Sequence, residues 1–466
     1  MQFTDEQFKK DSEQLIDFIY KSPSPYHVVN NIAAVLNENG FIRLSEGKAW
    51  KINPSGRYYV IRGGSSIIAF NMPKAESYKG YNITASHSDS PSFKIKENPE
   101  ITTDKHYISL NVEKYGGMIM STWLDRPLSV AGYAVAIGRS GIKEYLVNAD
   151  KDLLVIPNLA IHMNRSVNDN TSLNPQKDML PLFGDINAKD NFDEYIKSCI
   201  QSEDKDKESV ADESLTTELF LYNREKGRIW GCNDEYISAP RLDDIQCAYS
   251  SLMAYIKALG EISDDYDKVN VCCVFNNEEV GSTTMQGADS TFLSDVLERI
   301  SIAYGLDREK YMMAIASSYM VSADNAHAVH PNHTDKADLT NRPYMNEGIV
   351  IKFNGNQKYT TDSVSYAIFK DICDKRNVPY QTYANRSDIA GGSTLGNISN
   401  SHVSVNTVDI GLAQLAMHWI LRQPAVTSVL IGASKPEQVQ DALEMVQQAP
   451  LTDADIQEIE QILKAN

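Results

Sequence analysis

The chain has 466 residues, 42% apolar and 23% charged, the balance of an ordinary globular protein, which excludes a disordered or fibrous class. Single cores stop growing at roughly 250–300 residues, so two or three folding units are expected. With 62 acidic against 44 basic side chains the net charge is −18, which disfavours nucleic acid and anionic membranes, and no run approaches the roughly 18 apolar residues of a membrane span.

The opening Met1-Gln2-Phe3-Thr4-Asp5-Glu6 lacks the basic-then-apolar layout of a secretion signal. From Asp5 to Lys21, Phe8, Leu15, Ile16, Phe18 and Ile19 recur at helical spacing, and Ser22-Pro23-Ser24-Pro25 stops that helix. Strands are expected at 58–62, 66–70 and 81–86. The texture changes near residue 97. From there to about 235, strand-like runs at 107–112, 130–137, 144–147 and 153–156 alternate with turns, and the acidic, lysine-rich stretch 202–209 reads as a surface loop. Helix–strand alternation resumes with a helix at 245–259 and a buried strand at 269–275, rich in β-branched residues. The apolar run 312–316 reads as another strand. The pattern predicts an α/β unit, residues 1–97 and 235–412, interrupted by a β-rich unit, 98–234. Six cysteines, at 199, 232, 247, 272, 273 and 373, form no disulfide framework, and Cys272 and Cys273, as strand neighbours, point to opposite faces. A reducing cytoplasm is the economical location.

Chemistry-bearing residues gather in five clusters. Thr84-Ala85-Ser86-His87-Ser88-Asp89 places a His-x-Asp pair after a strand, which suits an imidazole ligand oriented by Asp89, although one such pair alone is more often a plain turn. Pro240-Arg241-Leu242-Asp243-Asp244 precedes a helix, so one acid is expected at the N-cap and the other is free for a cation. Glu278-Glu279 puts two repelling carboxylates at a strand's carboxyl end, where ligands of open α/β sheets bind. In 322–333, Asp324 is followed by His327, His330 and His333. The last cluster is Val408-Asp409-Ile410-Gly411 with His418, a histidine that on its own reads as core. Imidazole mixed with carboxylate, without thiolate, is the donor set of a co-catalytic centre of two divalent metals, with zinc the first choice and cobalt or manganese the substitutes.

Over residues 5–418 the chain resembles the M18 metallopeptidases, the aspartyl aminopeptidase family. The matching stretches are 22–29 (SPSPYHVV), 84–91 (TASHSDSP), 112–132 (VEKYGGMIMSTWLDRPLSVAG) and 156–165 (IPNLAIHMNR), with 241–244, 277–282, 322–332 (SADNAHAVHPN) and 385–396 (NRSDIAGGSTLG). The resemblance implies a mixed-sheet α/β aminopeptidase unit with helices on both faces, interrupted by a β-rich unit that mediates homo-oligomer assembly, commonly dodecameric. It implies one metal on His87 and Asp324, another on Glu279 and His418, and Asp243 bridging them. Glu278 is then the general base towards a metal-activated water and Asp89 the residue that orients His87. His162 is implied to reach an active site across a subunit boundary as a substrate contact, with metal ligation left open. His327, Lys352 and Tyr359 match substrate-contacting positions. The implied substrates are peptides, with an N-terminal Asp or Glu as the family's preference.

The last fifty residues depart from that family. Ala413 stands where it has proline, and Trp419–Lys435, with 436–439 and 451–455, resembles the C-terminus of an aldo-keto reductase. A (β/α)₈ barrel needs about 250 residues, so residues 413–466 are expected to be a substituted helical ending and an NADPH-dependent reductase is the least favoured function. The main alternative to a working aminopeptidase is an assembly protein of the same fold that has lost its second metal with His418.

Overall fold

The computed structural model describes residues 5–138, 141–170, 172–201 and 215–413; the expected loop 202–209 and the tail beyond Ala413, His418 included, lie outside the described residues. Two helices open the chain, α1 (Asp5–Lys21) and α2 (Pro25–Glu38). The second was missed from sequence: Pro25 stops α1 but also sits at the first position of α2, where its fixed φ and absent N–H cost nothing. Strands β1 (Ile42–Arg43), β2 (Arg57–Arg62), β3 (Ser66–Asn71) and β4 (Gly80–His87) follow. A second sheet then takes β5 (Ser92–Thr103), β6 (Tyr107–Tyr115), β7 (Leu128–Gly138), β8 (Gly141–Asn148), β9 (Leu182–Asp185), β10 (Ile200–Gln201) and β11 (Leu215–Asn223), and a hairpin of β12 (Arg228–Trp230) and β13 (Tyr236–Ser238) leads back. The return comprises α3 (Leu242–Ala258), β14 (Lys268–Phe275), α4 (Phe292–Ala303), α5 (Arg308–Ala316), β15 (Tyr319–Ala323), β16 (Ile349–Phe353), α6 (Ser363–Lys375), β17 (Tyr380–Ala384), α7 (Leu395–Ser399) and β18 (Asn406–Gly411).

The larger sheet has nine strands in the order β1-β2-β3-β14-β4-β15-β18-β16-β17. Its middle four, β14, β4, β15 and β18, run parallel, so their carboxyl ends share one edge. β4 and β14 are buried along their whole length because helices cover both faces. On one face Leu15, Ile19, Leu36, Leu252 and Phe369 pack against Cys272 and Val274; on the other, Phe292, Val296 and Leu297 pack against Val271 and Cys273. Cys272 and Cys273 thus enter different cores, as their neighbouring strand positions require.

The smaller sheet is antiparallel, ordered β10-β8-β7-β11-β5-β6-β9, with its own core around Phe93, Leu110, Val130 and Leu219. It meets the larger unit where Tyr26 of α2 stacks on Tyr133, ring centroids 4.5 Å apart. One expected strand is corrected: residues 312–316 end helix α5, and the strand that delivers Asp324 is β15. Met and Ala favour a helix over a strand, and Asp307 caps it by accepting from the Lys310 N–H.

Candidate metal centre

His87 is the last residue of β4, level with Phe275 of β14, and only 1% exposed. Its Nδ1 donates to the Asp89 backbone oxygen at 3.1 Å, which leaves Nε2 to face the site. Around Nε2 stand Asp243 Oδ1 at 3.5 Å, Asp324 Oδ1 at 3.7 Å, Asp244 Oδ2 at 3.9 Å and Glu278 Oε2 at 4.0 Å. One ligand atom from each of His87, Asp243, Asp244 and Asp324 lies within 4.8 Å of the others, the only such group among the described residues.

Each acid arrives from a different element. Asp324 follows β15, and its Oδ2 accepts from Lys352 Nζ at 3.1 Å. Asp243 and Asp244 open α3 with non-helical backbone, joined by a cis peptide bond. The expected N-cap is corrected here: neither acid caps the helix. Asp244 is fully buried and turns back to accept the His87 backbone N–H at 3.1 Å. Glu278 and Glu279 lie in a 3₁₀ turn after Asn277, whose φ is +62°.

That turn hangs on Asp89. Fully buried, Asp89 accepts the Glu278 N–H at 3.2 Å, the Glu279 N–H at 3.1 Å and the Tyr115 hydroxyl at 2.8 Å, while its Oδ1 lies 3.3 Å from His87 Nδ1. Asp89 therefore orients the imidazole and fixes the acidic turn with one side chain. Asp244 and Tyr115 had no individual signal in the sequence.

Electrostatics reflect the crowding. Burial, reinforced by Asp324, Asp89 and Asp243, pushes the Glu278 carboxyl up to about 7 against the pull of His87. Burial, with Asp243, Asp89 and Glu278, pushes Glu279 up to about 9. Burial also holds Asp244 well above the carboxylate range. His87 goes the other way to its burial: Asp244, Asp243, Asp324 and Asp89 outweigh desolvation and hold it protonated. Asp324 is kept ionised, against its burial, by Lys352 and His87.

The residues fit a divalent metal. The buried Oδ1 of Asp244 has no hydrogen-bond partner, and such an acceptor is costly without a cation. One imidazole among carboxylates suits zinc, cobalt or manganese better than calcium. Cys247, beside Asp244, stays a thiol because burial and that carboxylate raise its pKa.

The remaining expected site residues divide. Lys352 is 2% exposed, with Nζ 5.3 Å from the centroid of the Tyr359 ring. Tyr359 and the exposed His327 line a cavity of about 760 Å³ with Asp243, Arg241 and Arg386. His162 is exposed in a turn beyond β8. Glu279 sits against Gly116 and is outside the four-residue group.

Residues 18–433 match the family described as Aminopeptidase I zinc metalloprotease (M18). The chain belongs to the M18 family of aminopeptidases. A relative from Clostridium acetobutylicum, called probable M18 family aminopeptidase 2, is 48% identical over 413 residues, 88% of this chain and 93% of that protein. The Ape4 chain of a cryo-EM complex of Ape4 and Nbr1 is 34% identical, with a TM-score of 0.85 over 96% of this chain and 89% of its own. The S. cerevisiae mApe1 dodecamer matches at 26% identity and a TM-score of 0.76, covering 95% of this M18 chain and all of its counterpart. The reductase resemblance of the tail gains no support from these matches, and the family match itself runs past Ala413.

Proposed function

We propose that this M18 aminopeptidase works with two divalent metals, zinc first, and removes the N-terminal residue of peptides with Glu278 as general base. The observation that carries the reading is Glu278 itself. Its carboxylate lies 4.0 Å from His87 Nε2, beside the four-residue ligand group and not a member of it, where a carboxylate can take a proton from a water and return it. His87 and Asp324 would hold one metal, Glu279 and His418 the other, with Asp243 between them and Asp244 completing the first. Bound there, the metals supply water activation and polarisation of the scissile carbonyl. Glu278 takes the proton from the attacking water and passes it to the leaving amine. Asp89 holds His87 and the Glu278 backbone in register throughout. His327 and Tyr359, on the cavity wall, are assigned to the carbonyl oxygen.

A preference for an N-terminal Asp or Glu draws support from Lys336 on that same wall; Arg386 there is paired with Asp388, and Arg241 donates to the Ile19 carbonyl. Lys352 backs the site instead of lining it, since Asp324 already engages its ammonium. We assign residues 98–234 to assembly: Ile119, Leu159, Ile161 and Met163 there are exposed apolar side chains, and a related protein is a dodecamer. His162 lies among them, and we assign it to a neighbouring subunit's site as a substrate contact or ligand. A cytoplasmic location accords with six free cysteines.

Glu278→Gln tests the core of this. It is expected to lower kcat on short peptides by roughly 10²–10⁴-fold while two metals per subunit remain bound; wild-type turnover in that variant would overturn the assignment.

A further inference from the structure

The two sheets meet at the metal centre through one strand end. Tyr115 closes β6 of the seven-stranded sheet, yet its hydroxyl donates to Asp89 Oδ2 at 2.8 Å and accepts from Asn277 Nδ2 at 2.8 Å. Both partners belong to the larger unit, and both act on the Glu278–Glu279 turn. Asp89 accepts its two N–H groups, and Asn277 is the residue from which it springs. The next residue, Gly116, has φ +77°, and a Cβ there would lie 2.9 Å from Glu279 Cβ and 3.2 Å from its Oε2. Only glycine allows that approach. The strand end therefore meets the acidic turn twice, once by hydrogen bonds and once by bare backbone contact.

We propose that Tyr115 is a positioning residue for the peptidase reaction: through Asp89 and Asn277 its hydroxyl fixes the turn that carries Glu278 and Glu279. The seven-stranded sheet thereby sets the geometry of the base as well as any role in assembly. Removing the hydroxyl takes from Asp89 one of its three hydrogen-bond donors outside His87 and leaves the Asn277 amide without that acceptor. The ring's own packing is separate, because it stands edge-on to Phe220 with centroids 5.3 Å apart. That contact lies within the seven-stranded sheet, since Phe220 is on β11, whereas the hydroxyl makes the tie to the larger unit; a merely structural tie would lower Tm in Tyr115→Phe and leave kcat alone.

The inference rests on Glu278 being the base, so Glu278→Gln is run beside Tyr115→Phe in the full metal-loaded chain. Tyr115→Phe is expected to lower kcat roughly tenfold or more at unchanged KM, with both metals retained and little change in Tm. In the metal-stripped protein the same variant should speed amide exchange at Glu278 and Glu279, a readout independent of turnover. Phe220→Leu, which loosens the ring's packing and spares the hydroxyl, should lower Tm and leave kcat alone. Wild-type kcat and wild-type exchange in Tyr115→Phe would overturn the proposal, as would an equal loss of kcat in Phe220→Leu. If Glu278→Gln keeps full turnover, the base assignment fails instead.

Discussion

At the amino edge of β14, β4 and β15 the buried polar groups are mostly neutral, whereas at the carboxyl edge of those strands and of β18 they are ionisable. On the amino side Asn82 donates to Tyr266, which donates to Asn270, and Ser318 accepts the Tyr81 N–H while donating to Ala314. The buried charge there is Lys268, whose Nζ donates to the Ser317 carbonyl at 3.1 Å. On the carboxyl side stand His87, Asp244, Asp324 and Asp409, each nearly inaccessible or deep in the site, with Glu278 and Glu279 beside them. Amides and hydroxyls can satisfy one another within the protein, and at the amino edge most of them do, although Asn82 Oδ1 has no partner. Carboxylates cannot, and a cluster of them persists only where donors or cations are supplied from elsewhere. Asp409 shows the finished version, accepting from the Thr360 N–H, the Thr360 hydroxyl and the Thr394 hydroxyl. Asp244, with one oxygen unanswered, shows the version held open for a ligand.

The contrast is broken hardest at Asp324. Asp324→Ala strands the buried Lys352 ammonium without its partner and should cost roughly 3–5 kcal/mol in urea unfolding. Lys352→Met in that background should recover part of the loss; no recovery would mean that the pair is not what holds Asp324. Next in size is Asp409→Asn, which presents an amide to three donors and should cost about 1.5–3 kcal/mol, read from the shift in urea midpoint at constant slope.

The smallest effect lies on the amino edge. Burial lowers the Lys268 pKa from 10.5 to about 8, so the folded state holds fewer protons than the unfolded state between those values. The penalty for its buried charge is complete below pH 8 and fades as pH rises towards 10.5. Lys268→Met should therefore stabilise the protein by about 1 kcal/mol at pH 7, and the Tm advantage should shrink steadily above pH 8. An advantage that grows with pH would contradict the sign.

What was legible in the sequence follows from the same physics. His87, Glu278-Glu279 and Asp324 stand out because acids and imidazoles just after apolar strands have few bland explanations. Asp243 and Asp244 are indistinguishable in sequence, since both precede a helix that wants a cap; only the non-helical backbone brings both into the cluster. Tyr115 lies 162 residues from Asn277, its partner, and nothing local marks a hydroxyl that crosses between sheets. Residues 312–316 are apolar at a density that suits strand or helix, and the cap at Asp307 decides for the helix.

One feature of β14 reaches further than its hydrogen bonds. Because Cys272 faces one core and Cys273 the other, this strand is clamped between two independent packings. Its position along its own axis is thereby measured twice, and the Glu278–Glu279 turn is the tip of that gauge. A one-residue slip would move the turn by about 3.3 Å and exchange the two faces at once. A substitution in the buried middle of the strand, at Val271, level with Ile83 and not with His87, should therefore register in the reaction rate while the fold still stands.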